Sequence, residues 1–305
     1  MRVLVSGSSG FIGSALLDAL DSAGHASVRL VRGPAEGDDE ISWDIAARRL
    51  DPKSLRGVDA VVHLAGAGIG DHRWTDDYKR EILDSRVKGT ALLVKALTAM
   101  DAPPAVLVSG SAVGYYGDRG DEQLTETSAA GLGFLAEVAK AWEKAAAPAA
   151  AAGIRTVLLR TGLVLAARGG TLGQLLPLFK LGLGGPLGKG WQWWSWIALQ
   201  DEVAAILHCL ESPALHGPVN ATAPHPVTNA EFTKTLGRAL HRPAFLRTPA
   251  PALAFALGPE RAHELVLTSQ RALPTALEES GFVFSYPTLA DVMPTLRGAS
   301  KTHSS

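Results

Sequence analysis

The chain has 305 residues, enough for one large domain or two small ones, and a 47% hydrophobic content that supports a well-buried core. Its 29 basic and 30 acidic residues are spread along the sequence to a net charge of -1, which excludes the electrostatic footprint of a nucleic-acid or anionic-membrane binder and leaves a small molecule as the expected partner. No apolar run reaches a membrane span, the apolar start is a strand rather than a signal peptide, and the lone Cys209 reads as a buried thiol, so a soluble protein in a reducing cytoplasm is expected.

The first element carries the most information. A short apolar strand from Val3 to Ser6 runs straight into Gly7-Ser8-Ser9-Gly10-Phe11-Ile12-Gly13, and then into helix-spaced apolar residues from Phe11 to Ala23. A dinucleotide pyrophosphate needs that order: one glycine for the turn, one for backbone approach to the phosphates, and one for close packing of helix on strand, with the positive helix end facing the anion. Strand-like runs follow at Ser27 to Val31, Ala60 to Leu64, Val106 to Ser109 and Thr156 to Leu159, with helices expected over Arg86 to Met100 and Phe134 to Ala151 between them. This alternation predicts an α/β fold, a doubly wound parallel Rossmann sheet covered on both faces, followed by a smaller C-terminal substrate-side lobe.

After Gly162 glycine and proline become frequent, and Trp191, Trp193, Trp194 and Trp196 cluster, which suggests either an aromatic pocket wall or packing of the lobe. A helix around Val203 to Leu210 is expected to return to the sheet. The expected division is a nucleotide-binding domain over 1–240 with part of the substrate lobe inserted after about 165, a small domain over 241–298, and a disordered polar tail over 299–305.

Arg32 closes the second strand, where an acid would hold the ribose 2′-hydroxyl of NAD. An arginine there, with Ser8 and Ser9 in the glycine loop, suits a 2′-phosphate, so NADP is the preferred cofactor and NAD a possible one. Asp44 is a candidate for the adenine or a turn cap, and Leu64-Ala65-Gly66 after the Ala60 strand should leave room for the cofactor backbone. No metal-ligand spacing is present.

Ser6 to Gly13, His63 to Gly66, Ser85-Arg86-Val87-Lys88-Gly89-Thr90 and Ser109-Gly110-Ser111-Ala112-Val113-Gly114-Tyr115-Tyr116-Gly117 together resemble the extended, epimerase-like branch of the short-chain dehydrogenase/reductase superfamily. Arg160-Thr161-Gly162, Leu176 to Pro186 and Gln270 to Phe282 look like its atypical "epimerase family protein" subgroup, which carries an extra C-terminal domain. The resemblance implies an oxidoreductase or epimerase and places Ser111 at the superfamily's active-site serine. It also implies a Tyr-x-x-x-Lys pair, which is missing. Counting back from Glu143 puts Ala139 at the lysine position and Leu135 at the tyrosine position, while the register shifted by one pairs Lys140 with Ala136. The subgroup lacks the pair too, often with cysteine at the lysine position, and it shares Arg86 where extended members carry asparagine.

Candidate catalytic residues are therefore Ser111, Tyr115 and Tyr116 as polar or proton-donating groups and Arg86 as an electrostatic partner; the alternatives are a helix or turn cap for Ser111, core packing or loop shaping for each tyrosine, and an ion pair with Asp84 or Asp201 for Arg86. Two readings stand: an NADP(H)-dependent enzyme acting on a small organic molecule as a monomer or homodimer, or a catalytically silent NADP(H)-binding sensor.

Overall fold

The computed structural model describes residues 1–167 and 169–297, so the tail over 299–305 lies outside the described residues. In chain order the first half runs β1 (Arg2–Ser6), α1 (Phe11–Ser22), β2 (Ala26–Val31), β3 (Glu40–Ser42), β4 (Ala60–His63), α2 (Asp76–Thr98), β5 (Val106–Ala112), β6 (Gln123–Leu124) and α3 (Phe134–Ala151). There follow β7 (Arg155–Thr161), β8 (Leu163–Leu165), α4 (Gly170–Lys180), β9 (Trp193–Trp194), β10 (Trp196–Ala198), α5 (Leu199–Glu211), β11 (Gly217–Ala221), β12 (Val227–Thr228) and α6 (Asn229–Leu240). The chain ends with α7 (Ala250–Leu257), α8 (Pro259–Ala262), β13 (Arg271–Ala272), α9 (Thr275–Glu279) and α10 (Leu289–Arg297).

Seven strands form one sheet in the order β11-β7-β5-β4-β1-β2-β3. The neighbours from β5 to β3 pair in parallel, with Val5 opposite Val62 and Ser6 opposite His63. Every residue of β4 is buried, as are Val3 to Ser6, which is why these strands read as continuous apolar runs rather than alternating ones. The fold is the expected doubly wound α/β sheet. Leu4, Leu30, Val61, Leu93, Leu97 and Leu107 lie in one cluster on it, each burial stabilising by about 1.5–3 kcal/mol.

Contacts divide the chain into two units. The first comprises Met1–Ala112, Glu137–Arg160 and Val203–Val219; the second comprises Val113–Ala136, Thr161–Glu202 and the residues from Asn220 onward. The second unit is therefore assembled from three stretches, beginning earlier than the expected insertion point near 165. It holds three small strand pairs, β10 with β8, β12 with β9 and β13 with β6. Its core gathers Trp196, Phe232, Leu236 and Val292.

Two departures from expectation have local causes. α2 begins at Asp76, ten residues before Arg86, because Thr75 caps it through the Tyr78 amide and Asp76 and Asp77 favour the positive helix end. β3 is only three residues long at the sheet edge, too short for a periodic signal. Among the described residues, no helix is long and apolar enough to cross a membrane, and no group of His, Cys, Asp or Glu could hold a metal ion. Cys209 is buried and unbridged.

Candidate dinucleotide and substrate site

The three glycines of the β1–α1 turn have different physical duties. Gly7 sits at φ 71°, and a Cβ on it would lie 2.9 Å from the Ala65 amide nitrogen. On Gly13 a Cβ would lie 2.1 Å from the Gly7 carbonyl oxygen, so its bareness lets α1 pack against the turn. Gly10 is exposed and would meet only that same carbonyl, at 3.1 Å, which leaves its open side to a ligand. Gly10 caps α1 without a side-chain bond, and no acid stands in the first turn. The amides of Phe11 and Ile12 thus begin a helix whose first turn holds no acid, the arrangement a pyrophosphate requires. Ser8 is buried and Ser9 exposed in the same loop.

Arg32 follows β2, is exposed and has no ion-pair partner among the described residues. Asp44 bonds the Ala47 amide at 2.8 Å and Arg49 at 3.2 Å, contacts that hold its carboxyl below the usual range, so its carboxylate already closes a turn. The Leu64-Ala65-Gly66 segment leaves β4 and is fixed by two serine hydroxyls. Ser6 Oγ accepts from the Ala65 amide at 3.4 Å, and Ser85 Oγ accepts from the Ala67 amide at 3.0 Å.

Arg86 lies against Gly66, where a Cβ would come within 3.1 Å of its guanidinium carbon. Its Nη1 donates to the Ala67 and Ile82 carbonyls at 2.9 and 3.1 Å, and its guanidinium stands 5.0 Å from the Trp142 ring centre. The alternative of an ion pair with Asp84 is not realised, because Asp84 binds Lys88 at 2.6 Å, while Asp201, in the second unit, accepts from the Ser285 and Tyr286 amides. Burial pulls the Arg86 guanidinium down to about 10, which leaves it charged at neutral pH with no carboxylate against it among the described residues.

Ser111 is 5% exposed and donates to Glu143 Oε1 at 2.7 Å. Glu143 is gripped in turn by Arg160, whose Nε and Nη2 reach the two carboxylate oxygens at 2.8 and 3.0 Å. With its proton committed to Glu143, the Ser111 hydroxyl can accept a hydrogen bond but has none to give. Trp142 lies beside this group over Gly110, where a Cβ would come within 2.9 Å of its ring. His63 is another buried member of this unit, bonded to Ser6 Oγ at 2.6 Å and Thr90 Oγ1 at 2.9 Å.

In the second unit the paired tyrosines part company. Tyr116 is fully buried with its hydroxyl 2.7 Å from Asn220 Oδ1 and 3.0 Å from the Thr125 carbonyl, so it belongs to the core. Tyr115 is half-buried and meets Tyr116 edge-on at 5.4 Å between ring centres. Leu135, at the tyrosine position, packs against Gly114. Glu264, in a π-helical turn over His263–Leu267, accepts from the Phe134 and Leu135 amides at 3.2 Å each, and only a glycine at 133 leaves space for it. Sequence reasoning missed this carboxylate because it comes from 130 residues away. Lys140 is exposed, while Ala139 is buried.

The tryptophans do not form one wall. Trp196 is fully buried, Trp194 packs on Phe232, Trp193 lies under Arg271 at 4.3 Å, and Trp191 is 72% exposed. Their distinct neighbours explain the excess of indoles that the sequence displayed. Glu202, fully buried with a bond from Thr161 at 2.7 Å, is pushed up to about 8 by desolvation.

Residues 3–221 match the profile of the "NAD dependent epimerase/dehydratase family", and residues 248–294 match a "Domain of unknown function (DUF1731)". Epimerase family protein Mb2239 of Mycobacterium bovis is 46% identical over 291 residues, covering 95% of this chain and 96% of that protein. Human epimerase family protein SDR39U1 is 38% identical over 292 residues, covering 95% and 97% of the two chains. A crystal structure of the human protein with NADPH superposes with a TM-score of 0.89 at 35% identity, covering 98% of this chain and all of that one. With its glycine loop, its parallel sheet and these matches over nearly its whole length, the chain belongs to the NAD dependent epimerase/dehydratase family.

Proposed function

We propose that the protein is an NADP(H)-dependent oxidoreductase or epimerase acting on a small organic carbonyl, alcohol or sugar-like molecule without the usual tyrosine and lysine. One observation carries the reading: an uncapped α1 start with no acid in its first turn, behind an exposed Gly10, and at the end of β2 an Arg32 with no ion-pair partner among the described residues. The human relative crystallised with NADPH supports the same cofactor here. Bound at this turn, the nicotinamide would give or take a hydride.

The chain's own residues supply the rest. The Gly7 to Gly13 loop with Ser8, Ser9, Phe11 and Ile12 holds the pyrophosphate, Arg32 holds the 2′-phosphate, and Leu64, Ala65 and Gly66 border the cofactor backbone. Asp44, already bonded to its own turn, shapes the adenine side. Arg86 offers an unbalanced positive charge to an anionic substrate group or a developing oxyanion. Ser111, oriented by Glu143 and Arg160, accepts a hydrogen bond from a substrate hydroxyl. In reduction the carbonyl carbon takes the hydride and the carbonyl oxygen needs one proton, for which half-buried Tyr115 is the donor rather than Tyr116. The sole, buried Cys209 suits a cytosolic setting, where the protein works as a monomer or homodimer.

A second reading, a silent NADP(H)-binding sensor, is favoured by Leu135 and Ala139 at the missing pair and by the committed Ser111 proton. The deciding experiment follows NADPH oxidation by the purified protein against a broad panel of carbonyl compounds. Turnover that falls about 10²-fold in Tyr115→Phe supports the enzyme. Tight NADPH binding with no turnover anywhere in the panel favours the sensor.

A further inference from the structure

A pocket of about 480 Å³ opens at the carboxyl end of α6, lined by Lys234, Gly237, Arg238, His241, Arg242, Ala244 and Phe245. We propose that it is a second ligand site, one that takes a nucleoside phosphate and is distinct from the dinucleotide loop, with which it shares no residue.

The concavity depends on a close approach. Gly237 lies where a Cβ would come within 2.5 Å of Ala244 Cβ and 3.0 Å of the Arg242 carbonyl, so only glycine lets the returning chain fold against the helix. The turn is made by His241 at φ 52°, a left-handed conformation that glycine adopts without strain and that histidine enters at a cost. At this turn His241 adds its side chain to the pocket lining.

Charge supplies the second argument. Lys234 and Arg238 stand one helical turn apart on an exposed face, and Arg242 is anchored through Nε to the Lys180 carbonyl at 2.8 Å. None of these side chains has a carboxylate partner among the described residues, and no Asp or Glu lines the pocket. The nearby Glu231 is engaged by Thr228 in a capping box. Cations at a helix carboxyl end gain from its dipole, which accounts for their sign. It does not account for the concavity, the left-handed histidine or the ring beside them. That ring, Phe245, is 75% exposed, a stacking surface that lines the same pocket as Lys234, Arg238 and the anchored Arg242. Guanidinium groups match phosphate oxygens in geometry and charge, and an exposed phenyl matches a base.

The test is calorimetric titration of ADP into the full-length protein held in excess NADPH, beside titration of inorganic pyrophosphate. One ADP per chain is expected. The double variant Arg238→Glu, Arg242→Glu, shown folded by circular dichroism, should weaken both ligands at least about tenfold, and Phe245→Ala should weaken ADP alone. Binding absent up to about 10 mM ADP, or unchanged in the double variant, would overturn the site. So would ADP binding seen only when NADPH is omitted, since that ligand would belong to the dinucleotide loop. An unaltered ADP affinity in Phe245→Ala would overturn the nucleoside assignment.

Discussion

His63 shows how one buried side chain can be read to its proton. Thr90 gives its hydroxyl hydrogen to the Arg86 carbonyl at 2.7 Å, so His63 Nε2 must be the donor to Thr90 Oγ1, and Nδ1 is left to accept from Ser6. This fixes a neutral imidazole between β1 and α2, and burial lowers its pKa to about 4. The folded value lies below the unfolded 6.5, so the histidine favours folding above pH 6.5 and that contribution is lost as pH falls towards 4, on the order of 3 kcal/mol in all. Chemical denaturation of His63→Asn should show a flatter stability profile between those two pH values; an unchanged slope would mean the imidazole is not the titrating group. Glu202 works in the opposite direction. Its raised value of about 8 means stability is lost as pH rises from about 4.5 to 8, so Glu202→Gln should raise the melting temperature more at pH 8 than at pH 5. The exposed Lys140 sits one residue from the aligned lysine position, about 100° round the helix, and Lys140→Ala should change any turnover by less than about threefold.

The β1–α1 turn gives its glycines different surroundings, open at Gly10 and closed at Gly13. Gly10→Val should leave a folded protein that no longer binds NADPH, because the added side chain would enter the open space proposed for the pyrophosphate. Gly13→Ala should instead destabilise the fold by about 1–3 kcal/mol, since its Cβ would lie 2.1 Å from a carbonyl oxygen. Circular dichroism melts beside calorimetry with NADPH distinguish the two, and a Gly10→Val protein with unaltered affinity would reduce the turn to a structural one. This turn was legible in the sequence because every part of it is local. α3 was also legible, and it runs through Pro148 over the expected Phe134–Ala151. The first ten residues of α2 were not, since charged residues from Asp76 onward hide the apolar periodicity that a cap and the Lys88–Asp84 pair make unnecessary.

What the sequence concealed is what long-range packing decides. Nothing in the spacing of Ser111, Glu143 and Arg160 reveals that the serine's proton is held by a carboxylate clamped in two places. Nor does it reveal that Glu264 accepts from the amides of Phe134 and Leu135, the latter standing where a tyrosine was sought. The tryptophans are a similar case, adjacent in sequence but directed to separate neighbours. The cofactor assignment, by contrast, rests on strand ends that the alternation of elements already located. Its most direct test is paired calorimetric titration of NADPH and NADH into the wild-type protein and Arg32→Ala. Arg32 should give NADPH an advantage of about tenfold or more, and the substitution should erase it. Equal affinities for the two nucleotides in the unmodified protein would contradict the NADP(H) assignment.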